Sequence, residues 1–400
     1  MKTPDYEERM ADFQEALGNN DVDGDVALDF FADVHGECVR QGELARYAAL
    51  VADFRRRAPQ VYEEISPFLL CQLISDALAA GDVERTRSLA REMAVEGEKD
   101  GDVFFRTLAE LCLHGQMSVL LQMMPIAWEW IGAERGGLMG YAVDEFRELG
   151  ISLEMADWAD RAPNGKDTEA LSQRLSRYGE IAWPRVLTSM GILTGQTREE
   201  WSPEDFAGIG TPRTRKQDDD RDQDEDDWEL EGWDRRDPHD NLFLLTLDFA
   251  HTAHVSDGLA TATLVLACDN LRQYLLDRQG EGLDRPRKPR GRSRSARRVG
   301  ATGGRNVLLP DEPSLDRWAG ELLAFPFPQW SRAAAILLVL PAWLRFLPVR
   351  GLAPKADTET AFASLQPLIE KAAKVLADGQ VAPALIADLR RRWNLPEVST

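Results

Sequence analysis

"CVRQGELARYAALVADFRRRAP", residues 38–59, is the stretch whose reading decides the fold. After Gly42, the residues Leu44, Tyr47, Ala48, Val51 and Phe54 recur at i, i+3, i+4 and i+7, one apolar face of a helix. Glycine is the usual left-handed terminator of a helix, so Gly42 predicts the tight turn of a helical hairpin. The arrangement recurs in "ALAAGDVERTRSLAREM", "LCLHGQMSVLLQMM" and "FRELGISLEMADWAD", with glycines at 81, 115 and 150 and spacings of 39, 34 and 35 residues. Phe104, Leu108, Leu111 and Cys112 share one face, as do Ile151, Met155, Trp158 and Ala159. A helical hairpin recurring near 34 residues is the signature of a solenoid.

On these residues the segment from about 26 to 165 resembles a tetratricopeptide-repeat array. Gly42 stands at the turn, and Pro59 stands where that family usually closes its second helix. Tyr47, Thr86, Leu120 and Met155 depart from it, standing where the family prefers a small alanine. The resemblance implies a helical-hairpin scaffold that binds other proteins on a concave face.

Composition agrees with a helical protein. Of 400 residues 44% are hydrophobic, a globular proportion. Alternating runs rich in Val, Ile and Thr are few, which predicts an all-α fold. The formal net charge of −21 opposes association with nucleic acid on average. Cys38, Cys71, Cys112 and Cys268 are widely spaced in apolar stretches, which predicts buried, reduced thiols and a cytoplasmic protein. The N-terminal "MKTPDYEERMADF" has no apolar core of a signal peptide. In "SRAAAILLVLPAWLRFLPVR", residues 331–350, the uncharged run from Ala333 to Leu344 is shorter than the roughly 20 residues that a spanning helix needs. A core helix bent at Pro341 is expected there, and no membrane partner.

Charge is strongly segregated in the second half. From Asp218 to Asp240 there are 13 acids and 3 arginines. From Arg285 to Arg298 there are 8 basic residues and no acid. Neither stretch has apolar periodicity, so both are expected to be disordered linkers. The resulting division is a helical-repeat domain at 1–202, an acidic linker at 203–240, a helical pair at 241–280, a basic linker at 281–311 and a C-terminal helical unit at 312–400. In that last unit Leu365, Leu368, Ile369, Ala372, Val375 and Leu376 form one stripe, and Leu385, Ile386, Leu389 and Trp393 another; Gly379 repeats the hairpin style.

Three groups of residues invite a chemical reading. In "GNNDVDGDVALDF", Asn19, Asp21, Asp23 and Asp25 fall at positions 1, 3, 5 and 7 of an EF-hand-type loop, with Gly24 at the turn. Phe30 occupies position 12, where a bidentate Glu belongs, so an ordinary polar turn before a helix is favoured over a calcium site. In "DFAHTAH", His251 and His254 could share a metal with a distant carboxylate. On a helix, however, Asp248, His251 and His254 spread over more than one face, and histidines capping or lining a helical core are the commoner use. The basic linker, Arg285, Arg287, Lys288, Arg290, Arg292, Arg294, Arg297 and Arg298, suits phosphate contact through charge alone, because no aromatic residue is interleaved for base stacking. Pairing with the protein's own acids competes with that use.

No phosphate loop, GxSxG or nucleophile–base set is present in the sequence, so catalysis gains no support and no cofactor is expected. The expectation is a non-enzymatic scaffold or adaptor that binds another protein, with the charged linkers as docking, regulatory or cleavable elements. The alternatives are a regulator that contacts nucleic acid through 285–298, and a metal-dependent enzyme centred on His251 and His254.

Overall fold

A computed structural model describes residues 4–19, 22–131, 140–161, 168–179, 181–206, 209, 237–278, 306–324, 328–378 and 381–396. Among these residues the chain is all-α, with sixteen α-helices, three short 3-10 turns and no strand. Their contacts divide the chain into two compact units, Met1–Phe146 and Arg147–Thr400.

In the first unit the helices are α1 (Pro4–Asn19), α2 (Gly24–Gln41), α3 (Leu44–Arg57), α4 (Pro59–Ala79), α5 (Val83–Glu96), α6 (Gly101–Leu113) and α7 (Met117–Ile131). Helices α2/α3, α4/α5 and α6/α7 are antiparallel hairpins. Their turns are built alike. Gly42, Gly81 and Gly115 have φ of 70°, 69° and 66°. The next residue's N–H reaches back across each turn, Glu43 to Cys38 O, Asp82 to Ala77 O and Gln116 to Leu111 O, at 2.8–2.9 Å. This is the Schellman closure, which needs a residue that tolerates positive φ. Helix starts are equally explicit: the Asp23, Asp82 and Asp100 side chains accept from the N–H three residues on, at 2.9–3.1 Å.

The hairpins stack as a solenoid does. Helix α4 packs on α2 and α6 as well as on α3 and α5, and α5 packs on α7. Phe31, Tyr47 and Phe54 are fully buried at the first layer, and Phe104, Leu108 and Leu111 at a later one.

The fourth glycine reads differently from the expectation. Gly150 lies inside α8 (Gly140–Arg161), not at a turn. A Cβ there would stand 2.6 Å from Tyr178 Cζ, so the residue is small because a buried ring crosses the helix at that point. Hairpin glycines and close-packing glycines look the same in one dimension.

The second unit continues with α9 (Thr168–Leu175), α10 (Trp183–Leu193), α11 (Pro238–Asp257), α12 (Thr261–Asp277), α13 (Glu312–Leu322), α14 (Trp330–Val349), α15 (Lys355–Asp378) and α16 (Pro383–Arg392). Helix α14 is its centre and touches α11, α12, α13, α15 and α16. It is the one helix among the described residues long and apolar enough to cross a membrane, and 78% of its most apolar window is buried within the protein. The core reading of residues 331–350 therefore holds, and the helix runs on through Pro341 and Pro348. Val375, placed in a core stripe from the sequence, is exposed, whereas Leu365, Ile369 and Leu376 are buried. Gly379 lies outside the described residues. All four cysteines are free and buried.

Two of the prolines inside helices show how they are tolerated. Proline has no N–H and so frees the carbonyl four residues before it. Pro341 frees Leu337 O, and Trp393 Nε1–H donates to that oxygen at 2.7 Å. Pro67 frees Glu63 O, which accepts from Ser66 Oγ and Lys99 Nζ, both at 3.2 Å.

Candidate functional site

The stacked helices of the first unit carry a polar seam. Glu37, Asp76 and Glu110 each stand five residues before a hairpin glycine, on α2, α4 and α6. Asp76 and Glu110 take part in bonds between neighbouring helices, whereas Glu37 accepts from Arg40 and Gln41 on its own helix. His35 Nε2–H donates to Asp76 Oδ1 at 2.9 Å, tying α2 to α4. Ser75 Oγ–H donates to Glu110 Oε2 at 2.6 Å, tying α4 to α6. Tyr47 OH donates to Gln72 Oε1, tying α3 to α4.

The seam is largely closed to solvent. His35 is 1% exposed and Asp76 7%. Burial pushes the Glu110 carboxyl above the usual carboxylate range, with the Ser75 bond and the Arg106 charge pulling the other way. Burial likewise raises the Tyr47 phenol, reinforced by the Asp76 charge, and pushes the Cys71 thiol up to about 11. A thiol so placed stays protonated and is a poor nucleophile. A buried His–Asp pair with a protonated thiol nearby suits helix cross-linking better than catalysis.

What the seam shows to solvent is narrow. Between Ile65 and Leu78, α4 is buried except for Phe68, Gln72 and Ser75, which are partly exposed. These three fall at i, i+4 and i+7, a single stripe down the central helix of the stack. Sequence reasoning missed this stripe because α4 is apolar nearly all round; the signal available was three non-core positions at helical period in that run.

The calcium-loop residues are used otherwise. Asp23 caps α2, accepting from Val26 N, and Asp25 lies in the helix's first turn. The helix begins at Gly24, inside the span that a twelve-residue loop would occupy. Asp21 lies outside the described residues. His251 and His254 each spend Nδ1–H on a backbone carbonyl, Leu193 O at 2.8 Å and Leu259 O at 2.9 Å. His251 Nε2 closely faces Gly195, and His254 Nε2 lies 3.6 Å from Asp160. Asp248 is occupied by Arg350 in a buried ion pair. The "DFAHTAH" stretch therefore braces α11 against its neighbours in the second unit. Among the described residues no group of three or more His, Cys, Asp or Glu is placed to hold a metal ion. The basic residues Arg285, Arg287, Lys288, Arg290, Arg292, Arg294, Arg297 and Arg298 lie outside the described residues, as does most of the acidic segment.

Fold and site together define a class: an all-α protein whose first unit is a stack of helical hairpins. Compared with known proteins, the chain matches no family model, no curated protein and no solved structure.

Proposed function

We propose that the chain is a non-enzymatic interaction scaffold, akin in design to tetratricopeptide-repeat proteins, that binds a protein partner through its N-terminal hairpin stack. The observation that carries this reading is the Phe68–Gln72–Ser75 stripe, the strip that the central helix leaves partly open to solvent between Ile65 and Leu78. A helical surface whose exposed aromatic edge is held from below by the core, and whose Gln72 and Ser75 are fixed by bonds to Tyr47 and Glu110, suits recognition of a peptide or helix. The buried thiols, and the two histidines of α11 that spend Nδ1–H on backbone carbonyls, support binding over chemistry. They also fit the reducing compartment expected of a cytoplasmic protein. The charged stretches 203–240 and 281–311 serve in this reading as docking or regulatory elements, and 285–298 supplies the alternative, contact with nucleic acid through charge.

The test is affinity capture from lysate with the full chain, with and without nuclease, beside a Phe68→Glu variant. The scaffold reading expects a protein partner that survives nuclease and is lost with Phe68→Glu while the melting temperature of the first unit holds. Capture that depends on nucleic acid, or that ignores Phe68, goes against it.

A further inference from the structure

Helices α2 and α4 open the same positions to solvent. On α4 the stripe runs Glu64, Phe68, Gln72, Ser75 and Ala79, at i, i+4, i+8, i+11 and i+15. On α2 it runs Asp25, Asp29, Asp33, Gly36 and Arg40, each 39 residues earlier, which is the spacing of Gly42 and Gly81. On α6, Asp102 and Arg106 stand 34 residues after Phe68 and Gln72, the spacing of Gly81 and Gly115. The stripes are neighbours because α4 packs on both α2 and α6. Three contacts fix their register. A Cβ on Gly24 would stand 2.8 Å from Glu64 Oε2, so that carboxylate lies against the first turn of α2, beside Asp25. Further along, His35 meets Asp76, and Ser75 meets Glu110.

Phe68 therefore sits among carboxylates. Glu64 precedes it by one turn, Asp29 holds the matching place on α2 and Asp102 the matching place on α6. All three are exposed, as is Asp25. The cations of this face are engaged with other acids. Arg9 pairs with Asp33, Arg40 with Glu37, and Lys99, which also donates to Glu63 O, with Glu96. The charge of Arg106 acts on Glu110 and Cys71. Helix starts account for part of this acidity, since Asp25 and Asp102 lie in first turns, where the macrodipole favours an anion. They do not account for all of it. Asp29 lies beyond the first turn, and Asp23, Asp25 and Glu64 share the single start of α2.

We propose, resting on the scaffold reading of this stripe, that the partner's docking element is a cationic amphipathic helix. An apolar residue sets on Phe68, and Lys or Arg side chains lie over Asp25, Asp29, Glu64 and Asp102. A face of carboxylates with few cations to offset them repels acidic segments and draws in basic ones, which governs choice of partner more than affinity. Gln72 and Ser75 are held by Tyr47 and Glu110, so Phe68 supplies the anchor and the acids surround it.

The probe is a labelled amphipathic peptide of Leu and Lys, with the same peptide carrying Glu for Lys as its counterpart. Binding to the full chain is read by anisotropy at about 150 mM salt, where long-range attraction is screened. The Leu–Lys peptide should bind and the Leu–Glu peptide should not. Asp25→Asn, Asp29→Asn, Glu64→Gln and Asp102→Asn together should weaken binding about tenfold, because exposed ion pairs are weak singly and four of them add up. A matched variant removes four exposed acids of the second unit, Glu200→Gln, Glu204→Gln, Glu312→Gln and Asp357→Asn. It should change binding less than about twofold, which separates docking from attraction to a net charge of −21. Equal losses in the two variants, or equal binding of the two peptides, overturn the proposal. If the first variant does not fold, Asp29→Asn with Glu64→Gln, both beyond the first turns of their own helices, carries the same comparison. Capture from lysate tells this failure from that of the scaffold reading. A partner lost with Phe68→Glu but kept by the four-acid variant leaves the scaffold and removes the cationic partner; capture that ignores Phe68 removes both.

Discussion

His114 closes α6, and burial pushes its imidazole down to about 4. The folded protein therefore keeps this ring neutral while the unfolded chain protonates it near its ordinary value. Stability is lost as pH falls from about 6.5 through 4, and the full difference is on the order of 3 kcal/mol. Glu110 works in the opposite sense, since a raised carboxyl favours the folded state as it takes up its proton. Comparing His114→Gln with the parent isolates the histidine: urea midpoints at pH 7 and at about pH 4.5 should differ less in the variant. An unchanged pH slope would place the ring in water. The glycines supply a second residue-scale contrast. Gly81 turns a hairpin in open space at positive φ, so Gly81→Ala should cost about 1 kcal/mol through backbone strain. Gly150 is helical, and Gly150→Ala should cost roughly 1–3 kcal/mol because its Cβ would push on the buried Tyr178 ring. Tyr178→Leu in the same chain should recover part of the second loss and none of the first. The three turn glycines were legible in the sequence because apolar periodicity breaks on both sides of them. Gly150 was misread because its reason for being small lies 28 residues away, in a ring that no local pattern announces.

At the scale of elements, the apolar run of α14 was legible as core, but the donor that rescues it was not. Pro341 should cost the helix a hydrogen bond, and Trp393, the residue that follows α16, restores one to Leu337 O. Trp393 is fully buried and stacks on Phe362 with centroids 4.9 Å apart. Removing the ring with Trp393→Ala should cost about 3–5 kcal/mol. Trp393→Phe keeps most of the packing and deletes the N–H, leaving a buried carbonyl orphaned at about 1–3 kcal/mol. Pro341→Ala returns a backbone donor to the same oxygen, so Trp393→Phe should be milder in that background. A double-mutant cycle by chemical denaturation measures the coupling. Strict additivity would mean that the indole N–H is not what makes Pro341 tolerable. The sequence offered no hint of this pairing, because proline reads locally as a breaker and tryptophan as bulk. The polar seam was closer to legible: an acid five residues before each of Gly42, Gly81 and Gly115 is visible once the hairpins are aligned.

For the whole molecule, helical class and the charge segregation were open to reading, because both are properties of windows of sequence. That the helices of 241–280 and 312–400 pack on one another was not, since which apolar faces meet is set by tertiary fit. The same scale decides between a protein and a nucleic acid as partner. Eight cations in 285–298 would bind phosphates by counterion release, with little regard to sequence and a steep fall with salt. Against them stands a net charge of −21 on the full chain. At about 150 mM salt the Debye length is about 8 Å, so the distant acids are largely screened, but so is the long-range attraction of the basic segment. Local neutralisation by those eight side chains is then the only strong term left, and acids of the same chain compete for it. The expected result is little binding to a random duplex at that salt, measured by anisotropy with the intact protein. The variant with Arg290, Arg292, Arg294, Arg297 and Arg298 changed to Ala should behave alike. If the intact protein binds firmly and the variant does not, the basic segment is a nucleic-acid site and the scaffold acts on a ribonucleoprotein or on DNA. If both fail while a captured partner persists after nuclease, the cations serve protein docking, and the same variant should then weaken that capture with a salt dependence shallower than phosphate binding gives.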